Sequence, residues 1–205
     1  REDSVMLSST LEVFLNDNLF QDVYLTGNRE KLYNYGQPLF NKLRDKYEIT
    51  HFYFHHPDGR NFVRLHNREV YGDEINRITF KNARSSGQFA SGIELGQTAF
   101  ALRVVAPYYE DGKLIGYVEL GGEIEHFLDR LKGKSKNEFA IIADKEHLDR
   151  EAWSSTRKVK GLPDNWDESE KHLWLSRPVE TPVSKACFTE NNIEEFERGG
   201  YFIKD

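Results

Sequence analysis

One cysteine, Cys187, among 205 residues leaves no partner for an internal disulfide and no thiol set for a zinc site. No run of eighteen apolar residues occurs, so no stretch of the sequence is built to cross a bilayer as a helix. The chain has no excess of positive charge. Its formal net charge of −6 gives no general attraction to nucleic acid or anionic lipid. Nucleophile elbows (GxSxG), phosphate-binding loops (GxxxxGK[ST]), dinucleotide fingerprints (GxGxxG) and HExxH are all missing. Internal repeats and low-complexity tracts are missing too. Cys187 sits in a polar stretch with no obvious base, and Glu194-Glu195 reads as a solvated helix face. No catalysis and no cofactor are expected. The first residue is Arg1 and no signal peptide follows, while the end stops in a strand-like stretch. The chain therefore reads as a piece of a longer protein, with a hydrophobic span expected shortly before Arg1 and another after Asp205.

What remains is enough to fold: 38% apolar and 13% aromatic residues against 30% charged ones. Leu7, Leu11, Phe14, Leu15, Leu19 and Phe20 recur at helical spacing, which predicts one amphipathic helix from Ser4 to about Leu25. After Thr26-Gly27-Asn28, a second helix is predicted from Arg29 to Tyr47, bent or restarted at Pro38. The period then changes to two. Ile49–His56 and Asn61–His66 read as strands joined by the Pro57-Asp58-Gly59-Arg60 turn. A helix is predicted from Asp73 to Ser86, then strands over Ser91–Leu95, Phe100–Tyr109 and Lys113–Leu120, then a short helix from Glu123 to Leu131.

Two strands, a helical insert and three more strands behind long helices predict an α+β fold. Its centre is a PAS-like five-stranded antiparallel sheet. The expected division is an N-terminal helical region (1–47), a PAS-like module (48–132) and a smaller, incomplete second α+β module (137–205).

Four of the seven histidines fall within sixteen residues, in "HFYFHHPDGRNFVRLH". Alternation along a strand sorts this cluster onto two faces. Phe52, Phe54, Val63, Leu65, Leu102, Val104, Ala106, Leu114, Val118 and Leu120 share an apolar face that should meet the helices. Opposite them stand His51, Tyr53, His55, Phe62, Arg64, His66, Arg103, Val105, Tyr117 and Glu119. Arginine forks and tyrosine hydroxyls converging there suit a carboxylate or another small polar ligand, with Tyr53, Arg64, His66, Arg103 and Tyr117 as its wall. A solvated face of exposed arginines is the plain alternative. A metal site on His51, His55 and His66 is the sharper one. Four residues of strand separate His51 from His55 by roughly 13 Å at about 3.3 Å per residue, too far for one ion without a bulge.

"HFYFHHPDGRNFVRLHNREVYGDEINRITFKNA", "SGIELGQTAFALRVVAPYY" and "DGKLIGYVELGGEIEHFL" resemble the double Cache sensor domains of bacterial sensor histidine kinases, chemoreceptors and diguanylate cyclases. The resemblance covers about residues 5–130 and weakens beyond Asn137. It implies an extracytoplasmic (periplasmic) domain of an inner-membrane receptor, with a pocket between the sheet and its covering segment. Ligand binding would shift the long N-terminal helix, through which the domain is expected to form a homodimer. Tyr71 and Asp73, just before the covering helix, and Arg77 one turn further then become pocket candidates. Asp73 has a rival structural reading, preferred on its position, as that helix's N-cap. Glu94 would bind a ligand amine or pair with Arg64 or Arg103. Gly92 and Gly96 serve backbone geometry. The expected function is sensing of a small anionic or zwitterionic molecule. The rivals are a metal sensor or metal-dependent hydrolase on the three histidines, and a dimerisation module that senses nothing.

Overall fold

A computed structural model describes residues 2–95, 100–135, 139, 141–159, 161–176, 189 and 191–193. Gly96, Cys187 and Glu194-Glu195 lie outside the described residues. The chain divides into two compact units, residues 1–127 and 128–205.

In the first unit three helices precede the sheet: α1 (Glu2–Leu15), α2 (Asn18–Leu25) and α3 (Arg29–Tyr47). The single helix expected over Ser4–Leu25 is two. Asp17 breaks it by taking an extended conformation and accepting the amide protons of Leu19 and Phe20, which caps α2 instead of continuing α1. α3 keeps Pro38 inside. It ends at Glu48, whose left-handed backbone turns the chain into the first strand.

Five strands follow: β1 (His51–His55), β2 (Asn61–Arg64), β3 (Ala90–Leu95), β4 (Phe100–Glu110) and β5 (Lys113–Glu123). They form one antiparallel sheet in the order β2-β1-β5-β4-β3. The helix between β2 and β3, α4, runs Ile78–Ser86 and starts five residues later than the pattern predicts. α5 (Ile124–Ser135) follows β5 directly.

One sheet face buries Phe52, Phe54, Val63, Leu65, Val104, Ala106, Val118 and Leu120 against Leu7, Leu11, Phe14, Phe20, Tyr24, Leu32, Phe40 and Leu43 of the helices. The stripe of Leu7, Leu11 and Phe14 is thus spent inside the unit. Only the outer side of α1 remains for a second copy, where Val5 and Val13 are exposed. Gly36 lets α3 lie close on the sheet, since a Cβ there would overlap the Leu65 side chain at 2.8 Å.

Two residues depart from strict alternation, each at a bulge. Pairing steps from Phe54↔Val63 to His55↔Asn61, so Phe62 is the extra residue. It joins the helix-side core beside Tyr24, not the polar face. Likewise Tyr108↔Gly116 steps to Tyr109↔Leu114, leaving Ile115 over. Ile115 packs on the helix side, and Leu114 goes to the opposite face. Gly116 at this bulge cannot carry a side chain, because a Cβ would collide with the Tyr24 hydroxyl and the His55 carbonyl.

The second unit pairs β6 (Ile141–Asp144) with β7 (His172–Ser176), antiparallel, beside α6 (Arg150–Val159). Asn165 organises its small core. Its side-chain oxygen accepts the Trp153 indole proton at 3.1 Å, and its amide donates to the Trp174 carbonyl at 2.9 Å. Among the described residues no helix is long and apolar enough to cross a membrane.

Candidate functional site

The second face of the five-stranded sheet is as dry as the first, but it is built of charges. His51, Tyr53, His55, Arg64, Arg103 and Glu119 are all buried on it. The register explains their convergence. Arg64, Tyr53 and Glu119 lie in one row across β2, β1 and β5. In the next row His51 and Arg103 flank Gly121. Gly121 puts no side chain between them, where an added Cβ would press on the Leu102 carbonyl at 3.0 Å and meet His51 and Arg103 at 3.4 and 3.5 Å.

Residues 66–86 cover this face. The segment is tied to the strands around it by Arg60, whose Nη1 donates to the Gly72 carbonyl, and by backbone bonds between Asn61 and the stretch Gly72–Asp73. Two ion pairs clamp it. Arg64 holds Asp73 with both fork nitrogens, Nη1 to Oδ1 at 2.6 Å and Nη2 to Oδ2 at 2.7 Å, and also donates to the Val70 carbonyl. Arg77 reaches down to Glu119 Oε2 at 2.6 Å, while Arg103 takes Oε1 at 2.5 Å. His55 completes the Glu119 shell at 3.0 Å through Nε2, and its Nδ1 faces the Asn61 amide at 3.3 Å. That network assigns the neutral ring its proton on Nε2.

Three guanidinium groups therefore surround one phenol ring. Arg64, Arg77 and Arg103 sit 5.2, 5.7 and 5.8 Å from the centre of Tyr53. Burial opposes charge on Glu119, but Arg77 and Arg103 outweigh it and hold the carboxyl well below the usual range. The Arg64 hydrogen bonds lower Asp73 as well. The imidazoles go the other way. Burial, reinforced by Arg103, pushes His51 well down, and burial also lowers His55. Partial burial and Arg64 bring His66 down to about 4. All three are neutral near pH 7.

A cavity of about 40 Å³ lies within this cluster, lined by His51, Tyr53, Arg64, His66, Asn67, Val70, Arg77 and Arg103. His66 and Asn67 form its exposed rim. A much wider surface depression of about 760 Å³ lies by Ser8, Glu12, Val13 and Phe89. Its polar lining, Ser8, Ser9, Glu12 and Asn16, includes no buried charge, so volume alone misdirects there, and the small charged cavity is the better candidate.

Of the residues singled out in the sequence, Tyr53, Arg64, His66, Arg77 and Arg103 line this cavity together. Asp73 stands behind Arg64 and is not a helix cap: the residues before Ile78 are extended, and the helix end is capped from across the fold by Glu94. Glu94 accepts the Thr79 amide proton at 3.0 Å and the Thr79 hydroxyl proton at 2.5 Å, so it pairs with neither Arg64 nor Arg103. Tyr71 is exposed under the Arg29 guanidinium, 3.9 Å from its ring. Tyr117 lies outside the lining, in an apolar cluster with Phe80, Ile75, Ala83 and Val105. His51, Asn67 and Val70 complete the cavity unanticipated as ligand contacts. The histidines do not assemble into a metal centre. Both His55 nitrogens face protein partners, and no group of three or more His, Cys, Asp or Glu among the described residues is placed to hold an ion.

The sequence model of a family described as "double sensory domain of two-component sensor kinase" matches residues 2–171. The fold is similar to a domain of a sensory box/GGDEF family protein from Vibrio parahaemolyticus, with 14% identity and a TM-score of 0.60 over 96% of this chain and 76% of that one. It is also similar to the sensor domain of the V. cholerae histidine kinase DctB, at 11% identity and a TM-score of 0.52 over 88% and 83% of the two chains. A third structure, the extracellular domain of the histidine kinase vpHK1S-Z8, gives 16% identity and a TM-score of 0.56, with 71% of this chain covering 60% of that one. Among curated proteins there is no match.

Proposed function

Since the chain belongs to the double Cache family, the double sensory domains of two-component sensor kinases, we propose that its first unit senses a small anionic or zwitterionic molecule in the cavity around Tyr53. One observation carries the reading. Three buried or nearly buried arginines face only two carboxylates, Glu119 and Asp73, so the cluster has one positive charge more than its own residues neutralise. Burying a cation without a counter-charge is costly, and an incoming anion relieves that cost.

The covering segment is the part that responds. It is held to the sheet by the Arg64–Asp73 and Arg77–Glu119 pairs, and a ligand anion competes for those same arginines. Binding and rearrangement of the segment are then linked, which is what a sensor requires. In the intact receptor the domain is extracytoplasmic, anchored by flanking membrane spans and paired with a second copy along the outer side of α1. It binds without chemistry and passes its state to a cytoplasmic output domain. The full reading frame tests the anchoring: a protein with no hydrophobic span on either side would rule it out.

The site itself is tested by a thermal-shift screen of organic acids and amino acids on the wild type and on Arg64→Ala. The substitution leaves two arginines against two carboxylates, and binding should weaken by about 2–5 kcal/mol. A ligand that stabilises both proteins equally would place the site elsewhere.

A further inference from the structure

We propose that the occupant of this cavity is a short-chain monocarboxylate of two or three carbons, and not an amino acid or a dicarboxylate. The inference rests on the ligand-site reading above and narrows it by size, charge and the donors left over.

Size comes first. A water-sized sphere needs about 10–15 Å³ of such space, so a cavity of about 40 Å³ holds roughly three or four non-hydrogen atoms. That is the scale of acetate, with propionate fitting by a small movement of the half-buried Val70. A four-carbon diacid, about twice that size, would need the covering segment to open much further.

Charge disfavours the zwitterion. Among three guanidinium groups an ammonium is best balanced by a free carboxylate, and neither carboxylate here is free. Asp73 is bound through both oxygens by Arg64, and Glu119 is shared among Arg77, Arg103 and His55. An amino acid would add a further cation to a cluster already one positive charge in excess. A monoanion supplies the single charge that is missing, whereas a dianion overshoots it.

The free donors point the same way. Arg77 and Arg103 spend terminal fork nitrogens on Glu119, yet the Nε–H of each is buried with no partner among the described residues. Arg103 is almost completely inaccessible, so its orphaned donor costs free energy until an acceptor arrives. Two N–H groups on two guanidinium planes match the two oxygens of one carboxylate. Val70 and the Tyr53 ring offer a methyl or ethyl tail an apolar patch, beside the polar His51, His66 and Asn67.

Calorimetric titration of the purified 205-residue chain tests this, using sodium acetate, propionate, alanine, succinate and nitrate at matched ionic strength. Acetate or propionate should bind at least about tenfold more tightly than the other three, the order of a mispaired buried charge. Alanine within about threefold of propionate would overturn the class while leaving the cavity as the ligand site. Succinate or nitrate as the tightest binder would do the same. A companion variant, Val70→Phe, adds about four non-hydrogen atoms from the covering segment, roughly what the cavity holds, and replaces no member of the ion pairs. It should abolish propionate binding while keeping the cooperative unfolding of the wild type. Propionate binding unchanged in Val70→Phe, or no binding by any of the five probes, would overturn both the class and the site.

Discussion

Phe52, Tyr53 and Phe54 are consecutive in β1 and equally dry, at 0%, 4% and 2% exposure. Yet the two phenylalanines and the tyrosine look into opposite chemistries. On the helix side, Phe52 meets Phe14 and Phe20, in a core where any group of similar volume and apolarity would serve. On the other side, Tyr53 meets three arginines, and each neighbour is specified by charge and geometry. The first face gains stability from area removed from water. The second gains little net stability, because desolvation consumes much of what its ion pairs return. A sheet of this design has one face for holding and one for responding.

The sharpest way to break the comparison is to delete one residue from each face. Glu119→Ala leaves Arg103 buried without its carboxylate, and the unfolding free energy should fall by about 3–5 kcal/mol. Phe52→Ala should cost about 3–5 kcal/mol as well, through lost burial and a cavity. The two losses differ in character, and restoring charge balance separates them. Arg103→Met combined with Glu119→Leu should recover a substantial part of the Glu119→Ala loss. Urea unfolding of the three variants measures this. A double variant no more stable than Glu119→Ala would mean that the ion pair is a net stabiliser in its own right.

Alternation along the strands is enough to put Tyr53, Arg64, Arg103 and Glu119 on one face, and that much of the site was legible in the sequence. Two single-residue bulges set its limit. An extra residue at Phe62 and another at Ile115 flip everything between themselves and the strand end, and no composition rule announces them. The choice between Glu94 and Glu119 as the arginines' partner was equally hidden. It depends on β4 pairing with β5 so that Glu119 sits opposite Val105, two residues along from Arg103. Glu94 stands on β3 opposite Ala101, within reach of the helix end it caps. Asp73 misled for a local reason. An acidic residue ahead of a helical pattern reads as a cap, and only the return of the chain along β2 shows that Arg64 has claimed it.

The faces should also separate by pH. Glu119 ionises well below the 4.5 of an unstructured glutamate. Its contribution is fully present above about pH 4.5 and is lost as the pH falls through the folded value. His51, His55 and His66 are lowered from 6.5, so the unfolded chain binds their protons first on acidification. Both effects have one sign. Stability should be level above about pH 7, decline below 6.5, and steepen below 4.5 as Glu119 enters. Urea unfolding from pH 4 to 8 measures the slope, and His66→Gln should flatten its upper part, since His66 folds with a value of about 4. Phe52→Ala should shift the whole curve without changing its shape. A pH slope identical in wild type and His66→Gln would show that this ring does not titrate with folding.

The smallest stability effect, and the one most informative about response, is expected at Asp73. Its pair with Arg64 has good two-point geometry, but the Asp73 side chain is 38% exposed, so solvent screens much of its attraction. Asp73→Asn should therefore cost only about 1 kcal/mol or less in unfolding experiments. Binding should move in the opposite direction. Removing the carboxylate raises the positive excess of the cluster by one charge and frees the Arg64 fork for an incoming anion. Any anionic ligand of the cavity should then bind more tightly, while the covering segment, having lost one of its two clamps, exchanges its amides faster. Hydrogen exchange over residues 66–77, read alongside calorimetry, tests both halves in one variant. Weaker anion binding in Asp73→Asn would mean that Asp73 positions Arg64 for the ligand instead of competing with it, and the covering segment would then be a fixed wall.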